Sequence, residues 1–586
     1  MKTIVNKLAA GVSIVLTVAV CASCEDFLVQ ENTTNLNQAT FFDSETAVKA
    51  ATAPLYNYVW NDFNGKFYYG MGDGRANNIT AQYSDYIYPY TNFTDGALSQ
   101  GLADAWNSLY SVVAQSNNTI ENISKYCSET VSETAQKQAI AEARFMRGTA
   151  FWYIASLWGG GIIYTVTSDL VNSYGSAQPN SCADMLEFAI RDLEYAAQWL
   201  PTTQSEAGRV TCYSAMGMLS RLYLHMAGLT TEGQYDQTNV ATNPNRSKRN
   251  PYYLDLAARA AKKVIEESGA ELLGDYGDLF SSDLGKSNNN KEALFQLQWL
   301  TGSTDAIGWG CNQSIAAFFG WSTMVSDGTN WGGATYCSWD LWKEFNQEPE
   351  EAACRRHWCV ASDGEYYADL NKANGGYTYG ETENPGSQGA NIRKYVVGLN
   401  KDNGYSYKQS AGINTTMLRL AEVYLNYAEA LLANDETTTD TEALTYFNKV
   451  RARAGMSDKQ EISWEDLRHE RRLEFAFEGL YWYDLVSRSY YHQQDVVNYL
   501  NNQQRNASYG LSSDTYAGEE CEGYCLTKDY AAPGPSVNVA TERNLILQVP
   551  DADQGKNPNL KPGADGRLST VPYTFDAREV NVSELF

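Results

Sequence analysis

The stretch Leu418-Arg419-Leu420-Ala421-Glu422-Val423-Tyr424-Leu425-Asn426-Tyr427-Ala428-Glu429-Ala430-Leu431-Leu432 decides the fold. Leu420, Ala421, Tyr424, Leu425, Ala428, Leu431 and Leu432 recur at helical spacing, and the polar turn 434–440 separates them from a second stripe, Ala443, Phe447, Val450 and Ala454. Two helices within about 35 residues make one tetratricopeptide-like unit, and Ala428, Ala443 and Ala454 let the pair approach closely. Similar stripes occur at Leu102, Trp106, Leu109, Val113 and Ile120, at Phe145, Thr149, Trp152 and Ser156, and at Leu186, Ile190, Leu193 and Ala197. Met218, Leu222 and His225 mark another, as do Leu256, Ala260 and Val264. The expected fold is mainly α, a helical-repeat scaffold of about four pairs. The stretch 270–415 is rich in Gly, Asn and Trp, has a short strand at Ala293 to Leu300, and is expected to form an irregular lobe between helix pairs, a kind of region that tends to carry binding.

Composition narrows the functions. The 586 residues would allow about four domains at roughly 150 residues each. The net charge of −26 repels phosphate backbones, which excludes nucleic acid as the natural partner. With four His in the chain, His-based catalysis and His-rich metal sites have little material. Tyr 41, Trp 14 and Phe 19 supply rings that are apolar on their faces and polar at an edge, a chemistry suited to stacking on flat ligands.

At the N-terminus Lys2 and Lys7 precede the thirteen-residue apolar run Leu8 to Val20, the length of a signal-peptide core. The run ends in Val20-Cys21-Ala22-Ser23-Cys24, which resembles the lipobox of bacterial lipoproteins, although Cys21 stands where Leu is usual. Residues 1–23 are thus expected to be cleaved and Cys24 to carry the lipid, anchoring the protein to a membrane. Nine other Cys remain, an odd number, with Cys521 and Cys525, or Cys354 and Cys359, near one another in sequence. Cys354, His357 and Cys359 offer three zinc ligands without a nearby fourth, so neither metal nor cofactor is expected. Gly159-Gly160-Gly161 lacks the Lys-Ser/Thr of a phosphate loop and reads as a helix C-cap and turn.

Read in order, the motifs resemble the SusD family, also called RagB/SusD, the glycan-capturing lipoproteins of Bacteroidetes. Ala143-Arg144-Phe145-Met146-Arg147 is similar to its ArgPhe-LeuArg helix. Leu418 to Ala430, Val450-Arg451-Ala452-Arg453-Ala454-Gly455 and Glu470-Arg471-Arg472-Leu473-Glu474 through Trp482-Tyr483-Asp484-Leu485 resemble its later helices. Val549-Pro550 and Asn557-Pro558-Asn559-Leu560 resemble its closing loop, so the likeness runs along the whole mature chain, 24–586, as one unit. Within it, 24–269 carries the first helix pairs, 416–490 the last ones and 491–586 a loop-rich segment. Glu25-Asp26 resembles the acidic tag that sends such lipoproteins to the cell surface. The resemblance implies a non-enzymatic, surface-exposed outer-membrane protein that passes glycan to a SusC-type TonB-dependent transporter. Two alternatives are a peptide-binding member of the same family and a surface glycosidase. The second is disfavoured because Glu470, Glu474 and Glu478, beside Arg471 and Arg472, have the spacing of structural ion pairs rather than of two carboxylates facing one pocket.

A glycan site needs aromatic platforms flanked by polar groups. The segment before Ser338-Trp339-Asp340-Leu341-Trp342 is where SusD-like proteins often carry a ligand-facing aromatic, which makes Trp331 the first candidate, with Trp309 and Trp321 at the rim. Trp339 and Trp342, next to Leu341 and Phe345, are expected in the core. Tyr83 and the alternating Tyr86, Tyr88 and Tyr90 are expected on an exposed extended segment, and Asp73 and Arg393 to contact hydroxyls.

Overall fold

The computed structural model describes residues 41–81, 86–300, 313, 315, 319–320, 322–326, 335–362, 365–379, 390–396, 406–407, 410–505, 511–512, 515–516, 519–520, 525–526 and 539–586. Its scaffold is built from helices α1 (Leu102–Tyr126), α2 (Glu133–Trp158), α3 (Cys182–Trp199), α4 (Cys212–Leu229) and α5 (Pro251–Glu267). After a shorter helix in the lobe, α6 (Trp339–Phe345), it resumes with α7 (Leu420–Leu432), α8 (Thr441–Arg453), α9 (Trp464–Glu474), α10 (Tyr481–Ser489) and α11 (Gln493–Asn502). Each apolar stripe of the sequence became one of these helices.

Successive packing of α1 on α2, α2 on α3, α3 on α4 and α4 on α5 makes a helical-repeat array, and α7 continues it by packing on α5. The chain between α5 and α7 therefore leaves the array and returns to the next position in it. The second half of α2, from Phe145 to Trp158, is buried on all sides because α1 and α3 cover both flanks. Gly159 ends α2 with φ 68, the left-handed conformation that glycine adopts without penalty, and its N–H donates to the Ala155 carbonyl. The final segment runs back along the scaffold. Arg578 pairs with Glu187 and Glu194 of α3, and Trp158 Nε1 donates to the Gln548 carbonyl.

The lobe has its own apolar core, which includes Phe319, Trp339, Leu341, Trp342, Phe345 and Tyr367. Trp339 and Trp342 are buried there, as their helical spacing beside Leu341 and Phe345 predicts. The lobe is not made from 270–415 alone. Strand β1 (Ile79–Ala81) forms one edge of a four-stranded sheet with β3 (Thr335–Cys337), β5 (Asn391–Ile392) and β4 (Val360–Ala361), in the order β1-β3-β5-β4. A separate antiparallel pair, β2 (Ala293–Leu297) and β6 (Thr415–Arg419), closes the base of the lobe where it leaves and rejoins the scaffold.

Candidate functional site

The floor under the lobe is a buried charge network. Arg355 pairs with Glu351, Glu470 and Glu474, and Arg419 with Glu292, Glu474 and Glu478. Arg453 joins Glu292 and Glu474, Arg451 reaches Glu470, and Lys394 reaches Glu478. Five cations thus face five carboxylates, and all ten side chains are buried. Such balance is what desolvated charges require. Burial pushes the Glu474 carboxyl up, but Arg453, Arg419 and Arg355 outweigh it and hold the group at about 2. These carboxylates are bound in ion pairs between chain segments, the structural reading of Glu470, Glu474 and Glu478.

Beside the network, the turn after α9 locks onto the N-terminal part of the chain. Asp73, on a π-helical turn at Gly70–Gly74, accepts hydrogen bonds from the backbone N–H of Phe477 at 2.9 Å and of Gly479 at 2.6 Å, and from Asn78 Nδ2. Phe477 sits at φ 65, a strained conformation for an aromatic residue, and these bonds help to fix it. Burial raises the Asp73 carboxyl to about 6 despite the donors around it. The Phe477 ring packs on Phe319, 6.2 Å between centroids, and Phe319 on Tyr69 at 4.8 Å.

Trp309, Trp321, Trp331 and Tyr83 lie outside the described residues, as do Cys21 and Cys24; their anchoring neighbours do not. In the β1–β3 ladder Ala81 lies opposite Thr335, so the segment leading on to Tyr83 and the one arriving from Trp331 meet the sheet at the same end. Gln313 bridges to Ala411 through its backbone and donates from Nε2 to Thr415 Oγ1 at 3.1 Å. Ile315, Phe319, Met324 and Val325 are held in the lobe core on either side of Trp321.

Several expected positions are corrected. Asp73 is fully buried and occupied with backbone donors, so it offers nothing to a ligand hydroxyl. Arg393 is also buried: it pairs with Asp369, donates to the His357 carbonyl and lies between the Trp358 and Tyr367 rings. Tyr88 to Thr91 is a helical turn, not an extended segment, because Pro89 at its start presets a helical φ. Tyr90 is consequently buried, and Tyr86 and Tyr88 are half-buried. Cys354 and Cys359 are free, one of the two states the sequence left open. They form no zinc site with His357, whose Nδ1 engages Glu365, while the Cys359 thiol lies 3.6 Å from the Tyr276 hydroxyl. Among the described residues no three His, Cys, Asp or Glu side chains could hold a metal.

One exposed ring escaped the sequence reading. Tyr366 and Tyr367 open a short hairpin with Tyr377 and Thr378, and strand alternation buries Tyr367 while leaving Tyr366 54% exposed. The hairpin rests on the segment after Trp321, through the Asn371 N–H donating to the Met324 carbonyl at 2.8 Å and a hydroxyl contact between Thr323 and Tyr377 at 3.0 Å. A Tyr-Tyr doublet in a loop-rich lobe was the signal that would have found it.

Among the described residues of the lobe, the geometry presents the exposed Tyr366 ring beside the Tyr377 and Thr323 hydroxyls. A family model for the SusD family matches residues 291–562, and another, described as starch-binding associating with outer membrane, matches residues 26–224. A SusD-like protein of Bacteroides ovatus is 35% identical over 583 residues, covering 96% of this chain and 98% of its own. A solved structure containing a xylogluco-oligosaccharide is 33% identical, covers 90% of this chain and 100% of its own, and superposes with a TM-score of 0.77. A laminarin-binding SusD-like protein, 17% identical over 88% of this chain and 98% of its own, shares the fold with a TM-score of 0.63.

Proposed function

The chain belongs to the SusD family, and on that premise we propose that it is a non-enzymatic glycan-binding lipoprotein of the outer membrane. It captures an oligo- or polysaccharide at the cell surface and delivers it to a SusC-type TonB-dependent transporter. The observation that carries the ligand class is the likeness, along 90% of this chain, to a structure holding a xylogluco-oligosaccharide. Trp331 is the central stacking platform and Trp309 and Trp321 its rim, with Tyr83 and Tyr86 as further contacts. The description of the family model over residues 26–224 supports association with the outer membrane, and Cys24 carries the lipid that provides it.

The test is calorimetric titration of the chain beginning after Cys24 against a panel that includes xylogluco-oligosaccharides, together with assays for new reducing ends. Saturable binding without cleavage is the expected result. Cleavage of any member of the panel would replace this reading with a hydrolase. In cells, the expected result is that Cys24→Ala abolishes lipid labelling and releases the protein from the membrane fraction; labelling that persists would overturn the anchor assignment.

A further inference from the structure

We propose that the groove between α6, α9 and α11 is a second carbohydrate site, built to hold a single neutral sugar ring. It is an open groove of about 260 Å³ lined by Asp340, Lys343, Glu344, Arg468, Tyr499 and Asn502, with Gln347 at its mouth. Every lining side chain is polar. A cavity of roughly 150 Å³ already admits a benzene-sized ring, so the groove has space for a pyranose and its hydroxyls.

The groove's charges select the ligand. Asp340 and Glu344 are already paired with Lys343, Arg468 and Arg472, so a phosphate is opposed by the seated carboxylates and a divalent cation by the cations. A neutral polyol meets neither repulsion, because each hydroxyl both donates and accepts. The lining groups are also held in place before any ligand arrives. Asp340 Oδ2 accepts from Asn77 Nδ2 at 2.9 Å and from the Gln504 N–H at 2.7 Å. Glu344 is held by His469 on one oxygen and Arg472 on the other. The Tyr499 hydroxyl is fixed by the Tyr481 hydroxyl at 2.7 Å and by Arg468 Nη1 at 3.1 Å. The guanidinium of Arg468 lies over the Tyr499 ring. Against this fixed wall, the side-chain amides of Gln347 and Asn502 make no hydrogen bond among the described residues and stand exposed at the rim. A rigid shell of acceptors and donors with free amides at its mouth is the arrangement that preorganised recognition uses.

The groove lies at the Ile79–Cys337 end of the β1–β3 ladder. Ala81 and Thr335 mark the loop end, whereas Ile79 pairs with Cys337, and Asn77 and Asp340 flank that second end. A long glycan could then be held at two points on one chain, which raises avidity without new contacts at either. Naming the polyol a sugar rests on the glycan-capture reading; the preference for a neutral polyol does not.

The experiment follows the side-chain amide resonances of Gln347 and Asn502 in the mature chain while D-glucose is added as the pyranose probe. Saturable shifts are expected with glucose and none with sulfate or Ca²⁺. The double variant Gln347→Ala, Asn502→Ala should weaken glucose binding at least tenfold and leave the melting temperature unchanged, since both residues are exposed. Absence of saturable shifts, equal shifts with sulfate, or unchanged affinity in the double variant would overturn the proposal. The same titration in Trp331→Ala separates the two sites: loss of oligosaccharide binding at the loops leaves the glucose response of this groove intact.

Discussion

Lys394 Nζ and Glu478 Oε1 lie 3.0 Å apart, fully buried, at the seam where the lobe meets the turn after α9. Each is followed or preceded by an aromatic residue in the left-handed region, Tyr395 at φ 63 and Phe477 at φ 65. The ion pair thus joins two strained turns, and Arg419 adds two further hydrogen bonds to the same Glu478 carboxylate. Strain of this kind persists only where surrounding contacts over-determine the backbone.

Glu478→Gln tests the seam. Removing one charge leaves Lys394 and Arg419 buried without their shared partner, and breaking such a pair costs about 3 to 5 kcal/mol. Denaturant unfolding should show a loss of that size. A change below about 1 kcal/mol would mean that the network carries no net stability.

Gly72→Ala probes the same joint by sterics. A Cβ at position 72 would lie 2.2 Å from the backbone carbonyl of Gly479, and no flexible side chain is there to yield. Overpacking of this kind costs about 1 to 3 kcal/mol, so the melting temperature should fall. An unchanged melt would show that the two turns separate easily.

The pH dependence of stability follows from buried groups that pull in opposite directions. Burial, with Arg221 and Arg471 nearby, lowers His225 to about 3 from 6.5, so its contribution is present above pH 6.5 and lost as pH falls toward 3. Glu344 and Glu474 are held at about 2, against the burial of each, by Arg472 and by Arg453 respectively; their contribution is present above about pH 4.5 and lost as pH falls to 2. Asp73 acts in the opposite sense: with its carboxyl raised to about 6, its contribution is present below pH 3.8 and lost as pH rises through 6. Between pH 6 and 4.5 the His225 and Asp73 contributions run in opposite senses, and Glu194, raised by burial to about 7, adds to that of Asp73, so unfolding measured from pH 8 to 3 should show stability falling only below about pH 4.5, with a shallower fall in His225→Gln and a steeper one in Asp73→Asn. A His225→Gln profile parallel to that of the parent would place the acid loss elsewhere.

Two tryptophans eight residues apart should separate binding from stability. Trp331→Ala should weaken oligosaccharide binding by about 1 to 3 kcal/mol with little change in melting. Trp339→Ala empties a buried site in the lobe core and should cost about 3 to 5 kcal/mol of stability. Unfolding by Trp331→Ala, or its normal binding of glycan, would move the platform to another ring, and exposed Tyr366 is the next to test.

The helical scaffold was legible in the sequence because helix periodicity is local: the stripes at Leu102, Phe145, Leu186, Met218, Leu256 and Leu420 each predict their own helix from residues within a few turns. The Gly159 cap and the burial of Trp339 were legible for the same reason, since spacing and immediate neighbours suffice. What only the tertiary structure decided lies between segments far apart in the chain. Asp73 has the composition of a surface polar residue, yet the turn at Phe477 and Gly479, some four hundred residues away, encloses it. Arg393 looks free to meet a ligand until Trp358, Tyr367 and Asp369 close around it. Strand β1 joins a sheet whose other strands lie more than two hundred residues later, and no local pattern announces that pairing. A charged side chain is exposed or buried according to whether distant chain supplies its counter-charge and donors, and that supply is a property of the fold, not of the neighbouring sequence.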